Sequence, residues 1–167
     1  NLVLVGSDRT AANGDVFVCG STTSTNLSTL NAGSGASNTN NGGSDVLVFR
    51  INQDLSSLVW MRNYGGNNNG SVGTGNESYA ETANIMLYNS ATDDLFVGGT
   101  TNSSNFPTVS PRQNTRGGTS AGFIQRLTGA NGNTVWSSYY TSSTGLTKLL
   151  CMEFNATKTE LYVGGVT

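Results

Sequence analysis

Two stretches of this chain overlay for twenty residues without a gap. "DVLVFRINQDLSSLVWMRNY" begins at Asp45 and "AGFIQRLTGANGNTVWSSYY" at Ala121, an offset of 76 residues. Leu47 meets Phe123, Val48 meets Ile124, Arg50 meets Arg126 and Ile51 meets Leu127. Val59-Trp60 meets Val135-Trp136, and Tyr64 meets Tyr140. The chain has two tryptophans, and both fall in register. Such self-similarity restricts the fold to architectures made from copies of one supersecondary unit.

A second phrase repeats as well. "DVFVCGSTTS" at 15, "DLFVGGTTNS" at 94 and "ELYVGGVT" at 160 align on an acid and a glycine, at offsets of 79 and 66. "IMLYNSATDD" and "CMEFNATKTE" share the offset of 66. The offsets vary while the blocks stay fixed, so the length changes sit in loops. Runs of four to eight apolar residues recur at 2–5, 15–20, 45–51, 57–64 and 84–88, and again at 94–99, 121–127, 134–140, 149–154 and 160–165. They are rich in Val, Leu, Phe, Tyr and Trp, and Gly, Asn, Ser and Asp punctuate them, which is the pattern of strands and turns. "TGANGN" at 128–133 and "NSATDD" at 89–94 suit hairpin turns, because Asn, Gly and Asp tolerate positive φ. "STNLSTLNAGSGASNTNNGGS" and "GGNNNGSVGTGNES" read as long solvent-exposed loops.

Four consecutive strands per repeat predict an all-β chain of four-stranded antiparallel blades, as in a β-propeller. Ten strands make about two and a half such blades; a β-sandwich is the alternative. The expected division is a partial strand unit at 1–14 leading into a first blade at 15–80, a second blade at 81–145 and a partial third blade at 146–167, all in one propeller-type domain. A propeller closes with about four to eight blades. The sequence is therefore expected to be a piece of a longer chain, or to assemble with other copies.

The wording "GGTTNSSNFPT", then "AGFIQRL", then "TVWSSYY" resembles the bacterial SBBP-type β-propeller repeat. The resemblance is fullest over 94–140. It is partial in the first unit, where Phe-Pro is missing after "STTSTNLST" although "YGG" at 64–66 fits. It implies a cell-surface or secreted repeat protein, and it specifies no ligand. The paired glycines are expected where a strand enters a loop, at a sharp turn or a close backbone approach. Phe106 is expected to plug loop to blade, and Pro107 to stiffen the turn.

Composition bears on function mainly by exclusion. Only 11% of residues are charged and the net charge is −2, with no basic cluster. Phosphate neutralisation on a nucleic acid needs Lys and Arg, so no nucleic-acid partner is expected. No apolar run approaches the length of a membrane helix, so no membrane span is expected. No basic start followed by an apolar core opens the chain. The chain has no histidine, which rules out Ser-His-Asp and Cys-His constellations and histidine metal triads within it. Cys19 and Cys151 are read as small buried hydrophobes, unbonded to each other because a whole unit separates them.

The carboxylates are Asp8, Asp15, Asp45, Asp54, Glu77, Glu81, Asp93, Asp94, Glu153 and Glu160. Glycoside hydrolysis needs only two at the right separation, which leaves a glycoside-acting enzyme as the least favoured reading. Asp15, Asp94 and Glu160 share one repeat position, which points to a turn or strand-entry role. Asp93-Asp94 offers oxygen ligands for Ca²⁺ but lacks the EF-hand spacing, and no cofactor or metal is expected. Arg50 and Arg126 share another repeat position, where an arginine at a blade edge pairs with an acid of the next strand. Candidate glycosylation sequons stand at Asn26, Asn69, Asn76, Asn102 and Asn155.

The expected function is a non-enzymatic structural or adhesive module, extracellular or at the cell surface, binding through rim loops or assembling with further blades. Partners would be the remaining blades of a longer chain, other copies, or surface glycans and proteins. A carbohydrate-binding module is the alternative. Aromatics gathered on an exposed rim would favour it, and tryptophans buried between blades would count against it.

Overall fold

The computed structural model describes the backbone of residues 3–9 and the whole of residues 14–27, 40, 42–67, 81–143 and 146–167. Among the described residues ten strands form, where the ten apolar runs stand. They are β1 (Val3–Arg9), β2 (Val16–Thr22), β3 (Asp45–Ile51), β4 (Leu58–Tyr64), β5 (Glu81–Asn89), β6 (Asp94–Thr101), β7 (Ala121–Thr128), β8 (Thr134–Tyr140), β9 (Lys148–Phe154) and β10 (Leu161–Val166). They build three antiparallel sheets in chain order: β1-β2-β3-β4, β5-β6-β7-β8 and the pair β9-β10. The leading unit at 1–14 thus supplies the first strand of the first sheet. Most of the two long polar loops lies outside the described residues.

The repeat extends to irregularities in the ladders. One residue is skipped between the first and second strands of every sheet: Val5, Asn84 and Leu150. Their spacings are the offsets of 79 and 66 that relate the glycine phrases. Between third and fourth strands, Arg50 pairs with Trp60 and Arg126 with Trp136, and each pair precedes the same register shift. A bulge adds one residue to one strand, bends it and raises its twist. Its recurrence means that the sheets share a twist as well as an order.

The bulge explains the glycines. Gly99 and Gly165 lie inside β6 and β10, beside the bulge of the neighbouring strand, rather than at a strand exit as expected. A Cβ on Gly99 would sit 2.0 Å from the carbonyl oxygen of Thr82, and one on Gly165 would sit 2.1 Å from that of Lys148. Close backbone approach is therefore the requirement, and no turn is involved.

The sheets pack in series. β5 lies against β1, β2 and β3, and β9 lies against β5, β6 and β7. Phe17, Val48 and Trp60 of the first sheet share one core with Tyr88, Val97 and Phe123 of the second. Ile124 and Trp136 of the second share another with Leu149 and Met152 of β9. The rings repeat too. Phe17 lies between Trp60 and Tyr88, at 6.0 and 5.0 Å, and Phe96 lies between Trp136 and Phe154, at 6.2 and 5.3 Å. A sheet covered on both faces needs apolar residues at successive positions, which is why β7 is buried from Ala121 through Gln125.

Phe106 plugs its loop as expected: it is buried, its ring lies 4.6 Å from that of Phe123, and its N–H donates to the Tyr139 hydroxyl at 2.8 Å. In the first unit, which lacks Phe-Pro, Leu27 stands 79 residues earlier and is buried against Leu47 and Met61. Cys19 is buried, but Cys151 is exposed, contrary to the expectation that both are buried; as expected, they are not bonded to each other. The bulge at Leu150 resets the alternation of β9, so Leu149 and Met152 face the core and Cys151 does not.

Candidate functional site

Each later sheet begins with bonds between the start of its first strand and the residue just before the third strand of the preceding sheet. Glu81 N–H donates to the Ser44 carbonyl at 3.0 Å, and Ser44 Oγ donates to the Glu81 carbonyl at 3.1 Å. At the next joint, Thr147 N–H donates to the Ser120 carbonyl at 3.3 Å, and Ser120 Oγ donates to the Thr147 carbonyl at 3.5 Å. The backbone joint is thus the same twice.

Its side chains differ. The first joint buries two acids, Asp45 at the start of β3 and Glu81 at the start of β5, both 0% exposed. The second joint carries Ala121 and Thr147 at the matching positions. Thr101 Oγ1 donates to Glu81 Oε1 at 2.7 Å, whereas Thr147 Oγ1 meets Thr167 Oγ1 at 3.3 Å. Gly65 and Gly66 let β4 leave over the acids. A Cβ on Gly65 would fall 2.1 Å from Asp45 Oδ1, and one on Gly66 would fall 2.4 Å from Ser103 Cβ.

Burial pushes the Glu81 carboxyl up to about 7, and the nearby Asp45 adds to the rise; the Ser103 and Thr101 hydroxyls and the Gly66 amide act the other way. Desolvation disfavours the charged form, and a neighbouring carboxylate does the same. Glu81 therefore takes up or loses its proton near neutrality while sealed from solvent. Both acids were visible among the ten carboxylates, but nothing in the sequence paired them. The available signal was that Glu81 aligns with Thr147 and Asp45 with Ala121, so the acids belong to one joint only.

Each repeated arginine pairs with the repeated acid where the preceding strand starts, not with an acid of the next strand as expected. Arg50 Nε donates to Asp15 Oδ2 at 2.8 Å, and Arg126 Nη2 donates to Asp94 Oδ2 at 2.7 Å. The Arg50 guanidinium also lies 5.6 Å over the Phe17 ring. The neighbouring Asp93 accepts from the Tyr88 hydroxyl at 2.9 Å. The two oxygen sources considered for Ca²⁺ are thus engaged with an arginine and a tyrosine. No group of three or more His, Cys, Asp or Glu gathers among the described residues. Glu160 is exposed and accepts from Asn155 and Tyr162. Asp54 lies in the exposed β3–β4 turn, where the Ser56 hydroxyl and N–H hold its carboxyl below the ordinary value.

The sequons fall in different settings. Asn26 is exposed and Asn102 is half-buried. Asn155 is committed to its turn, accepting from the N–H groups of Thr159 and Glu160 at 2.9 and 3.2 Å and donating to Thr159 Oγ1 at 3.0 Å. Asn69 and Asn76 lie outside the described residues, as do Glu77 and the side chain of Asp8.

The most extensive side-chain contact between sheets lies where the first sheet grips the second. The β7–β8 turn, Gly129 to Gly132, sits on β3 and β4. Trp60 Nε1 donates to the Gly129 carbonyl at 2.8 Å, and Arg50 Nη1 reaches the same oxygen at 3.2 Å. Arg62 Nε donates to the Asn131 carbonyl at 2.8 Å, and the Tyr64 hydroxyl donates to the Gly132 carbonyl. Gly132 has a φ of 69°, and a Cβ there would stand 2.7 Å from the Trp60 ring. Sequence reasoning found Trp60, Arg50 and Tyr64 as repeat positions and missed their common target.

No known protein family and no curated protein matches this chain. Among the described residues no helix is long and apolar enough to cross a membrane.

Proposed function

We propose that the chain is a non-enzymatic structural or adhesive module of the extracellular or cell-surface kind, built from propeller blades of the SBBP-type repeat. The observation that carries this reading is the recurrence of one backbone joint at Ser44–Glu81 and Ser120–Thr147. A unit that presents the same joint to each successor is made to be extended in series, and propellers extend in that way. Serial packing of three sheets supports blades over a two-sheet sandwich. Trp60 is buried between sheets and Trp136 packs on Phe96, which counts against these rings as sugar platforms. The fully buried Asp45 and Glu81 are not presented to a soluble substrate, which supports a structural reading of the pair.

Two experiments test this. A chain extended by further copies of 81–145 should form closed rings in electron micrographs; extended or branched particles would argue against blades. The native chain should leave a panel of chromogenic glycosides intact. Turnover abolished by substituting a carboxylate would overturn the non-enzymatic reading, and saturable glycan binding lost with Tyr140 or Tyr162 would favour the carbohydrate-binding alternative.

A further inference from the structure

The grip that the first sheet exerts on the second recurs on the second sheet with nothing described in it. Trp136, Arg126 and Tyr140 stand 76 residues after Trp60, Arg50 and Tyr64. Trp60 is 2% exposed and Tyr64 6%, whereas Tyr140 is 39% exposed and Trp136 is half-buried. Arg126 keeps the acid partner, as Arg50 does, and its side chain is 35% exposed where that of Arg50 is 15% exposed. Beside Tyr140 runs a groove of about 220 Å³, lined also by Gly122, Leu149, Val163, Gly164 and Val166. At the first joint, the matching Val46, Tyr64 and Val97 are packed in one core with Phe123 and Leu127 of β7. β10 therefore offers the edge that β6 offers to β7, and Tyr162, Val163 and Val166 are 60, 43 and 52% exposed.

We propose that Trp136, Arg126, Tyr140 and the β10 edge form a socket for one further β-hairpin of this repeat. The hairpin pairs with β10, fills the groove, and seats its turn on the three side chains through backbone carbonyls. This rests on the serial-sheet reading above and adds the partner and its recognition chemistry. The turn must carry glycine where Gly132 stands, because Trp60 allows no Cβ at that point. That requirement excludes a second copy docking its own exposed β3–β4 turn. Gln53 and Ser56 replace Gly129 and Gly132 there, and the positive φ falls on Leu55 instead. The β7–β8 turn of a second copy is already held by its own Trp60.

The test extends the native chain after Thr167 with the sequence of 102–140, its tryptophan replaced by phenylalanine. Exchange of the two indole N–H protons and of the β10 amides is followed by NMR. The Trp136 indole should exchange at least tenfold more slowly in the extended chain, and the β10 amides should gain protection. Valine at the appended glycine matching Gly132 should remove the indole protection. If the β10 amides are protected and Trp136 exchanges as before, the socket is refuted and the serial-sheet reading stands. If neither is protected, both fail. The Trp60 indole reports folding throughout. Should the extension unfold the chain, the same segment is added as a separate polypeptide and the same two signals decide.

Discussion

Replacing Glu81 by glutamine should flatten the stability of this protein between pH 4.5 and 7. Glu81 is fully buried, and its carboxyl is raised from 4.5 to about 7, chiefly by desolvation. A raised folded value means that the folded state binds the proton more tightly than the unfolded state does. The stability from this group is complete below pH 4.5 and is withdrawn as the pH climbs through about 7. One pKa unit corresponds to about 1.4 kcal/mol, so the loss by pH 8 is on the order of 3 kcal/mol. Glutamine keeps the volume and an acceptor for the Thr101 hydroxyl, and it has no proton to lose. Urea unfolding of both proteins, followed by tryptophan fluorescence from pH 4 to 8, measures the effect. The two should agree within about 1 kcal/mol at pH 4.5, and Glu81→Gln should be the more stable by about 3 kcal/mol at pH 8. Groups remote from the joint are common to both proteins and cancel in the difference, whereas Asp45 is coupled to Glu81 and its change belongs to the effect measured. Parallel pH profiles would refute the claim that Glu81 is sealed in the joint.

The two tryptophans should differ sharply on truncation. Trp60→Ala should cost about 3–5 kcal/mol in urea unfolding, and Trp136→Ala about 1–2 kcal/mol, since Trp60 is fully enclosed and Trp136 only partly buried. Gly99→Ala should cost about 2–3 kcal/mol in the same assay, because its methyl meets the Thr82 carbonyl; a neutral result would contradict the close approach at the bulge. A thiol reagent should label Cys151 rapidly in the native protein and Cys19 only on unfolding, as counted by mass spectrometry; two fast labels would contradict the burial of Cys19.

The strands and their order were legible because the repeat fixes them twice. The gapless overlay of 45–64 on 121–140 carried through to the same pairings, Arg50 with Trp60 and Arg126 with Trp136. The arginine–acid pairs were legible only in part: both partners recur, but the acid was expected on the next strand and stands where the preceding one starts. The Asp45–Glu81 pair was not, because it occurs at one joint and its members come from different sheets. The bulges were also hidden. Skipping Leu150 exposes Cys151, and no apolar pattern of six residues reveals which one is skipped. Leu27 escaped notice because it replaces Phe106 by size and position, without the Phe-Pro wording.

The central claim is that the first sheet grips the hairpin turn of the second, and the α-protons of Gly132 report on it directly. The Trp60 ring lies where a Gly132 Cβ would be, 2.7 Å from that position. NMR of the native chain should show one Gly132 α-proton shifted strongly upfield by the ring current, with cross-relaxation to the Trp60 ring protons. Trp60→Leu should return that proton to the ordinary glycine range. An unshifted Gly132, with no cross-peak to Trp60, would contradict the serial grip and leave a separate packing of the two four-stranded sheets as the better account.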